Sequence, residues 1–365
     1  MIIDYSAYSS YLFCPWKYYE NYISQRQLRY VGQRSDPLCL GSLVHNALDN
    51  FAKTGKPFVD EETIKENNPT PETMQMCEML VMGYLRKYPA EQWPVELAEQ
   101  PLVFPLSDTN PGVYNGHGTN DNTDIQGLAK LDGYFYVPED TTIESGIEGS
   151  TITLSRGWWG KEFKTKAHGR RRSDWVKEWQ TKRQADFQIL ALQHHLQQQP
   201  WEWFQERAVS NAATVQGILV CVLEKPHEYK PMRKCEKCKG SYELYLYTPM
   251  EHGFRCPACD TVQSLSPYIP KVPKIPEYFR ISIVRSPEQL VVAKQEITEV
   301  AIRMERMREQ GMASEIPNRD ACVNNVYRSE CPYFLPHTYG GSTATDARYV
   351  QVDATKYRGL VEVEG

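Results

Sequence analysis

The stretch Glu162-Phe163-Lys164-Thr165 is the part of the sequence that decides the fold. It follows Gly127-Leu128-Ala129-Lys130-Leu131-Asp132-Gly133 along the chain and precedes Asp186-Phe187-Gln188. A Glu-x-Lys triplet alone carries little information, but the three segments together order two carboxylates, a lysine and a glutamine. Metal-dependent hydrolysis needs carboxylates to hold the ion and a proton-transfer group near the attacking water. The order of these residues therefore predicts a hydrolytic site.

Strand geometry adds a role for each residue. Side chains alternate between the two faces of a strand, so Glu162 and Lys164 share one face while Phe163 packs inward. We expect Asp132 and Glu162 to bind Mg²⁺ or Mn²⁺, with the main-chain carbonyl of Phe163 as a further ligand. Lys164 would orient or help deprotonate the attacking water. The alternative interpretation of Lys164 is an ordinary lysine on a strand surface.

Composition and charge place the chain among ordinary globular proteins. It has 365 residues, of which 41% are hydrophobic and 24% are charged, and this length suits one large domain or a core with small modules. No apolar run approaches the ~20 residues of a membrane span, and the first residues have neither the basic nor the apolar region of a signal peptide. We therefore expect a cytoplasmic protein with no membrane partner.

A basic segment begins within the Glu-x-Lys element. The net charge of -5 gives no global sign of nucleic-acid binding, but residues 161–183 contain nine Lys or Arg against three acidic residues. Such a run is often only a solvated face. Contacts to phosphates supply most of the sequence-independent affinity for DNA. The side chains that we expect on the DNA backbone are Lys166, His168, Arg170, Arg171 and Arg172.

Four of the ten cysteines have the spacing of a zinc site. Cys235-x2-Cys238 is followed, after seventeen residues, by Cys256-x2-Cys259. Two such pairs suit tetrahedral coordination by four thiolates, which leaves no open position and is therefore structural. Residues 242–247 between the pairs read as a strand, so the predicted module is a zinc ribbon. Two disulfides or four free thiols are the alternatives.

The remaining pattern predicts an α/β fold with a mixed sheet. Residues 218–223 and 278–284 read as a pair of strands whose connection holds the zinc ribbon and a spacer with proline at every third position from Pro267 to Pro276. The other predicted strands cover residues 101–106, 125–137, 151–155 and 158–165. The predicted helices cover residues 6–23, 41–53, 71–88, 174–198 and 287–310.

Five elements of this chain resemble motifs of the PD-(D/E)XK nuclease superfamily, specifically its RecB-type exonuclease branch. They occur in the order that this branch has, and they span most of the chain outside the zinc insertion. The elements are the segment from Tyr8 to Tyr19, Gly41-Ser42-Leu43-Val44-His45, the Gly127–Gly133 segment, Glu162-Phe163-Lys164-Thr165 and Asp186-Phe187-Gln188.

The resemblance implies a restriction-endonuclease-like core, in which helices flank a mixed central sheet, with an inserted zinc ribbon. The domain boundaries that we expect follow from it. Residues 1–224 and 278–337 would form the nuclease core, residues 225–277 the zinc ribbon with its spacer, and residues 338–365 a C-terminal tail.

Two further site residues rest on the resemblance. The histidine that matches His45 is a metal ligand in this branch, although a histidine on an apolar helix face is more often a packing group. Gln188 matches the glutamine of the branch, and its amide would hold a phosphate or position Lys164; an exposed glutamine is the alternative. The branch has a tyrosine where this chain has Leu192, so the role of this helix in binding is less defined.

Many members of the branch also carry an iron–sulfur cluster that is bound by four cysteines. Cys14, Cys322 and Cys331 match three of those positions, but no cysteine follows Cys331. Four thiolates cannot be assembled from these residues. We therefore favour a remnant in which the three cysteines pack or bind another metal, and a cluster completed by His337 is the alternative.

The activity that the resemblance implies is metal-dependent hydrolysis of phosphodiester bonds in DNA. We expect an exonuclease that acts in recombination, repair or the processing of phage or mobile-element DNA. The sequence has no phosphate-binding loop of an ATP-driven motor, so unwinding would need a separate helicase or recombination protein. A structure-specific or nicking endonuclease and a non-catalytic DNA-binding or assembly protein are the alternatives.

Overall fold

The computed structural model describes residues 1–28, 36–89, 100–106, 125–147, 149–167, 171–207, 214–226, 232–235, 237–239, 241–243, 248–250, 253–263, 276–314, 318 and 349–351. The helices are α1 (Tyr5–Phe13), α2 (Pro15–Tyr18), α3 (Asp36–Thr54), α4 (Glu61–Asn67), α5 (Pro71–Lys87), α6 (Arg172–Thr181), α7 (Arg183–Gln197), α8 (Trp201–Glu206) and α9 (Pro287–Gln310), with a π-helical turn at Tyr19–Ile23 and a 3₁₀ turn at Met312–Ser314. The strands are β1 (Ile2–Asp4), β2 (Arg26–Leu28), β3 (Gln100–Pro105), β4 (Gln126–Leu131), β5 (Gly133–Val137), β6 (Thr141–Glu144), β7 (Thr151–Leu154), β8 (Gly157–Lys166), β9 (Val215–Glu224), β10 (Met232–Lys234), β11 (Ser241–Glu243), β12 (Thr248–Met250), β13 (Gly253–Arg255), β14 (Val262–Gln263), β15 (Glu277–Val284) and β16 (Tyr349–Gln351).

The central sheet is mixed, which confirms the predicted α/β class. Its strand order is β15-β9-β8-β5. The inner pair, β8 and β9, is parallel, whereas β5 and β15 run antiparallel to their neighbours. A parallel pair requires a long crossover, and the segment from α6 to α8 provides it. Helix α7 of this crossover packs against β9 and β8.

Alternation along β8 and β9 creates a hydrophobic core on each face of the sheet. Trp158 and Val220 point to the core that also contains α1, α7 and α9, while Trp159 and Phe163 point to the core that contains α3 and α5. Both tryptophans are fully buried. The second core also contains Cys39, Cys77 and Cys221, as expected for small core residues.

The strands separate at one end of the sheet. Strand β5 pairs with β8 only as far as the pair Gly133–Lys161, so β8 continues beyond its edge partner. Strand β4 belongs to a different sheet, of order β1-β4-β3, and ends at Leu131. Asp132 therefore lies at the junction of the two sheets, beside the extended end of β8. The strand predicted over residues 125–137 is thus two strands.

The helix predicted over residues 6–23 was wrong in its continuity, because Cys14 is extended before Pro15 and separates α1 from α2. Ser286 and Gln289 form a capping box at the start of α9, whose bounds are those predicted, and Thr70 caps α5. The helix predicted over residues 174–198 was wrong at its centre, because Lys182 is extended and divides it into α6 and α7. Burial explains the division, since the two helices present their aromatic residues to different neighbours: Trp175 of α6 packs on Phe279, and Phe187 of α7 on Tyr8.

The described cysteine-rich segment lies between β9 and β15 along the chain. Strands β10 and β11 form one hairpin, and β12, β13 and β14 form a small antiparallel sheet. Of the strand predicted over residues 242–247, only the part within Ser241–Glu243 is described. Pro267, Pro270 and Pro273 of the predicted spacer lie outside the described residues. In the C-terminal tail, β16 pairs with β2.

Among the described residues, no helix has both the length and the apolar character that crossing a membrane requires.

Gly83 of α5 lies in close contact with Tyr278 of β15. From this contact we predict that a glycine-to-alanine substitution in a helix will destabilise the protein. A Cβ at this position would lie 1.9 Å from the hydroxyl oxygen of Tyr278, whose hydroxyl donates to the carbonyl of Met79. Replacement of a helical glycine by alanine usually stabilises a protein by up to about 1 kcal/mol. Here we expect Gly83→Ala to lower the free energy of unfolding by about 1–3 kcal/mol, because the buried ring must move.

Gly41→Ala is the matched control, since a Cβ at Gly41 of α3 meets nothing closer than 3.8 Å. Urea denaturation of both variants and the wild type measures the difference. An equal or higher stability of Gly83→Ala would contradict the packing of α5 on Tyr278.

Candidate functional site

Side chains from three elements and from the junction of β4 and β5 converge at the extended end of β8. Glu162 and Lys164 project from β8, Asp132 lies between β4 and β5, His45 belongs to α3 and Gln188 to α7. All five were predicted as site residues from the sequence. The structure brings them together in two linked groups, one centred on Glu162 and one on Asp132.

The carboxylate of Glu162 is buried among donors. Its residue is only 3% exposed, and it pairs with the ammonium group of Lys164. Gln184 Nε2 donates to Oε1 at 2.9 Å, and Gln188 Nε2 donates to Oε2 at 2.7 Å. Burial raises the pKa of Glu162, and the neighbouring Lys164 opposes that rise.

Gln188 is held in one orientation by two acceptors. Its Nε2 also donates to the carbonyl oxygen of Lys130 at 3.1 Å. A rotated amide would place its oxygen against two other oxygens, so the hydrogen bonds determine which end is the nitrogen. Gln188 therefore connects β4, which carries Lys130, to Glu162 of β8.

Asp132 and His45 form the second group. His45 Nδ1 lies 2.9 Å from Asp132 Oδ1, and the main-chain N–H of Phe163 donates to Asp132 Oδ2 at 2.6 Å. Burial disfavours the charged forms of both residues, but their mutual attraction outweighs it. The pKa of His45 is therefore raised and that of Asp132 lowered.

Phe163 links the two groups through its main chain. Its ring is buried in the second core and makes an edge contact with Tyr84 at 5.5 Å between centroids, so the side chain packs inward as predicted. Its N–H points away from β9 and toward Asp132. The N–H and C=O of one strand residue point to the same side, so its carbonyl also points toward the Asp132 side of the strand.

Gln184 is the site residue that the sequence analysis missed. It precedes Gln188 by four residues on α7, and residues at this spacing share one helix face. That spacing was the available signal. Asp186, in contrast, contacts Arg183 at 2.9 Å and Arg285 at 2.6 Å and lies away from the carboxylates of the site. Leu192 is fully buried in the first core.

The basic segment after β8 divides between the interior and the surface. Lys166 is only 3% exposed, and its Nζ lies 2.9 Å from Glu224 Oε1. Arg172 Nε donates to Glu224 Oε2 at 2.9 Å and its guanidinium also pairs with Glu277. The inward position of Lys166 does not suit its predicted contact with DNA. Arg171 is exposed, and His168 and Arg170 lie outside the described residues.

The four cysteines of the insertion form a compact group. The distance between sulfurs is 3.5 Å for Cys235 and Cys259 and 3.9 Å for Cys238 and Cys256. All four sulfurs lie within 4.8 Å of one another. Such a group can hold one metal ion, and four thiolates with tetrahedral spacing suit structural zinc.

Two similar turns position these sulfurs. Lys239 and Asp260 each follow the second cysteine of a pair and have positive φ angles of 59° and 57°. Each donates its N–H to the carbonyl of the first cysteine of its pair, at 2.9 Å to Cys235 and 3.1 Å to Cys256. Hydrogen bonds from Thr261 lower the pKa of Cys259 to about 6, whereas burial raises the pKa of Cys256 to about 11.

The two candidate metal sites differ in how tightly their ligand atoms cluster. Within the described residues, the ligand atoms of the four cysteines all lie within 4.8 Å of one another, and no other set of three or more His, Cys, Asp or Glu side chains is as compact. His45, Asp132 and Glu162 are spaced more widely. Cys14 is fully buried, and Cys322, Cys331 and His337 lie outside the described residues, so the interpretation of these cysteines stays a prediction.

Neither the comparison with models of known protein families nor that with curated proteins gave a match for this chain.

The cysteine group generates a prediction about bound metal. We expect the purified protein to contain one zinc ion per chain and Cys256→Ser to lose it, because a site of three thiolates binds zinc far more weakly. Elemental analysis by mass spectrometry measures the ratio of zinc to protein. Cys39→Ser is the control, since this buried thiol lies in the second core and outside the group. Zinc retained in full by Cys256→Ser would contradict the assignment.

The ion pair at the end of β8 generates a prediction about stability. Removal of one partner of a buried pair leaves an uncompensated charge, which typically costs about 3–5 kcal/mol. We expect Glu224→Ala to lower the free energy of unfolding by about 3 kcal/mol, because Lys166 then loses its carboxylate. Glu61→Ala is the control, because its contact with Lys65 is exposed and such pairs contribute about 0–1 kcal/mol.

The same pair has a defined pH dependence. Burial alone would raise the pKa of Glu224, but Lys166 and Arg172 hold it below its ordinary value. A lowered pKa in the folded state means that the stabilisation is present near neutral pH and is lost as the pH falls through that value. Denaturation between pH 7 and pH 3 should therefore show a smaller decline for Glu224→Ala than for the wild type.

Proposed function

We propose that this chain is a metal-dependent deoxyribonuclease with a restriction-endonuclease-like core, related to the RecB-type branch of the PD-(D/E)XK superfamily. The mixed sheet with helices on both faces supports the fold part of the proposal. The motif order supports the relationship. The arrangement of Asp132, Glu162 and Lys164 at the open end of β8 is the observation that carries the proposed activity.

The donor set suits a hard divalent cation. His45, Asp132, Glu162 and the carbonyl of Phe163 are the groups that would hold Mg²⁺ or Mn²⁺, which prefer oxygen ligands. Both carboxylates already face cationic partners, since Asp132 contacts His45 and Glu162 contacts Lys164, so the site stabilises positive charge. The ion, when bound, supplies charge neutralisation at the phosphate and lowers the pKa of a water molecule.

Lys164 is the described cation best placed to act on the reacting groups. Its side chain is 28% exposed, whereas that of Glu162 is 4% exposed, so the ammonium lies between the buried carboxylate and solvent. From this position it would orient the attacking water or a phosphate oxygen. Gln184 and Gln188 would hold the Glu162 carboxylate in place during the reaction.

A binding protein without catalysis is the competing class, and this arrangement argues against it. Burial of Glu162 with Lys164 costs desolvation free energy that an apolar pair of similar size would avoid, and a protein that only binds DNA does not need this geometry. The proposed substrate is DNA, the proposed mode is exonucleolytic, and the proposed setting is recombination, repair or the processing of phage or mobile-element DNA with a separate helicase. These finer points follow from the resemblance alone.

End-labelled linear DNA and covalently closed circular DNA test the activity together. Wild type, Lys164→Ala and Glu162→Ala are incubated with each substrate, with and without Mg²⁺ or Mn²⁺, and the products are resolved over time. We expect metal-dependent loss of linear DNA in the wild type and a decrease of at least about 100-fold in each variant. Lys65→Ala, which changes an exposed lysine of α4, should retain full activity.

Gln184→Leu refines this test. Loss of one group that orients a metal ligand typically costs about 10- to 100-fold in metal affinity or activity, so we expect a higher metal concentration at half-maximal rate. Gln197→Leu on the exposed side of the same helix is the control. Cleavage of the circles would identify an endonuclease, and inert DNA in every lane would favour the binding protein. Full activity of Lys164→Ala would refute the assignment of the site.

A further inference from the structure

A cleft of about 380 Å³ opens beside Glu162. Lys164, Gln184 and Gln188 line it, and each of these side chains contacts the Glu162 carboxylate. Any molecule in the cleft is therefore next to the carboxylate of the proposed active site. The remaining walls come from the start of α1, from β4 and from Phe187 of α7.

Gln188, which lines the cleft, has one polar atom without a partner. Gln188 is 1% exposed, and within the described residues its Oε1 has no hydrogen-bond partner, although its Nε2 has two. A buried carbonyl oxygen without a donor is unfavourable. The side chain of Gln188 is therefore a polar part of the cleft wall that keeps the capacity for one further hydrogen bond.

The charges of the cleft are distributed unevenly. The cations of the cleft wall are Lys164, which contacts Glu162, and Lys130, which is exposed. Asp4 lies on the side of α1, and its carboxylate accepts the N–H of Ala7 as the helix cap. An anionic group is therefore favoured at the lysines and disfavoured at Asp4. This distribution orients a ligand that has a phosphate at one end.

An aromatic ring lies at the α1 end. Tyr5 is partly exposed, and its ring packs edge-on against Phe187 at 6.2 Å between centroids. Lys182 Nζ lies 5.8 Å from the centre of the Tyr5 ring. A partly exposed aromatic ring that lines a cleft can serve as a stacking surface for a nucleobase.

We propose that this cleft binds one nucleotide unit of a DNA strand. The base would stack on Tyr5, and the phosphate would contact Lys130 and Lys164. This proposal rests on the proposed function, because it names the part of the same substrate that adjoins the cleaved bond. It assigns substrate positioning to α1, which carries none of the proposed catalytic residues.

Isothermal titration of the full chain without divalent metal tests the cleft independently of catalysis. The probes are deoxyadenosine monophosphate and deoxyribose 5-phosphate, which lacks the base. Stacking on an aromatic ring is sensitive to its removal, so we expect Tyr5→Ala to weaken the nucleotide about tenfold and leave the sugar phosphate unchanged. Tyr5→Phe keeps the ring and should retain the affinity within about twofold.

A second variant covers the case in which Tyr5→Ala folds poorly. Ser6 is exposed and lines the cleft, so Ser6→Leu fills it without disturbing the core. We expect this variant to weaken both probes at least tenfold. Ser155→Leu, which changes an exposed serine before β8, is the matched control and should bind normally.

The outcomes separate the cleft from the activity. Nucleotide binding by a wild type that cleaves no DNA would retain the cleft and reject the proposed function. DNA cleavage with unchanged kcat and KM in Ser6→Leu and Tyr5→Ala would retain the function and overturn the cleft. Equal weakening of both probes by Tyr5→Ala would overturn the stacking role of Tyr5.

Discussion

Burial of the Glu162 carboxylate is the constraint on which the rest of the site depends. A carboxylate that is removed from water is stable only when donors surround it. One donor comes from Lys164 of the same strand, and two come from Gln184 and Gln188 of α7. Two interactions therefore fix the position of α7 on the sheet. One is this pair of hydrogen bonds, and the other is the burial of its apolar face, which includes Phe187 and Leu192.

The end of the sheet allows two carboxylates to approach each other. Strand β8 continues past the end of its partner β5. The strand that precedes β5 in the chain is β4, which belongs to a separate sheet. Asp132 lies at this junction, so its carboxylate reaches the main-chain N–H of Phe163 where a neighbouring strand would otherwise bond. His45 reaches it from α3 on the other face of the sheet. The site thus depends on both helical layers.

The cysteine-rich insertion is stabilised by a different principle. Its described strands pair only among themselves, in a hairpin and a three-stranded sheet. The buried cluster at its centre consists of Cys235 and Cys256 with Cys259 packed against them. A module this small buries little apolar surface, and the four cysteines are placed to hold a metal ion that would take the place of a hydrophobic core. The long antiparallel pairing of β9 with β15 brings the two ends of the insertion together.

Local pattern in the sequence determined the element types, the α/β class, the position of the insertion and the spacing of its four cysteines. Glu162 and Lys164 could be placed on one face because side chains alternate along a strand. Only the tertiary structure decided that Gln184 contacts Glu162, that Lys166 turns inward to Glu224, and that Lys182 divides the helix predicted over residues 174–198. The physical reason is that periodicity records which face of an element is apolar, whereas the partner of a buried polar group depends on elements distant in the chain.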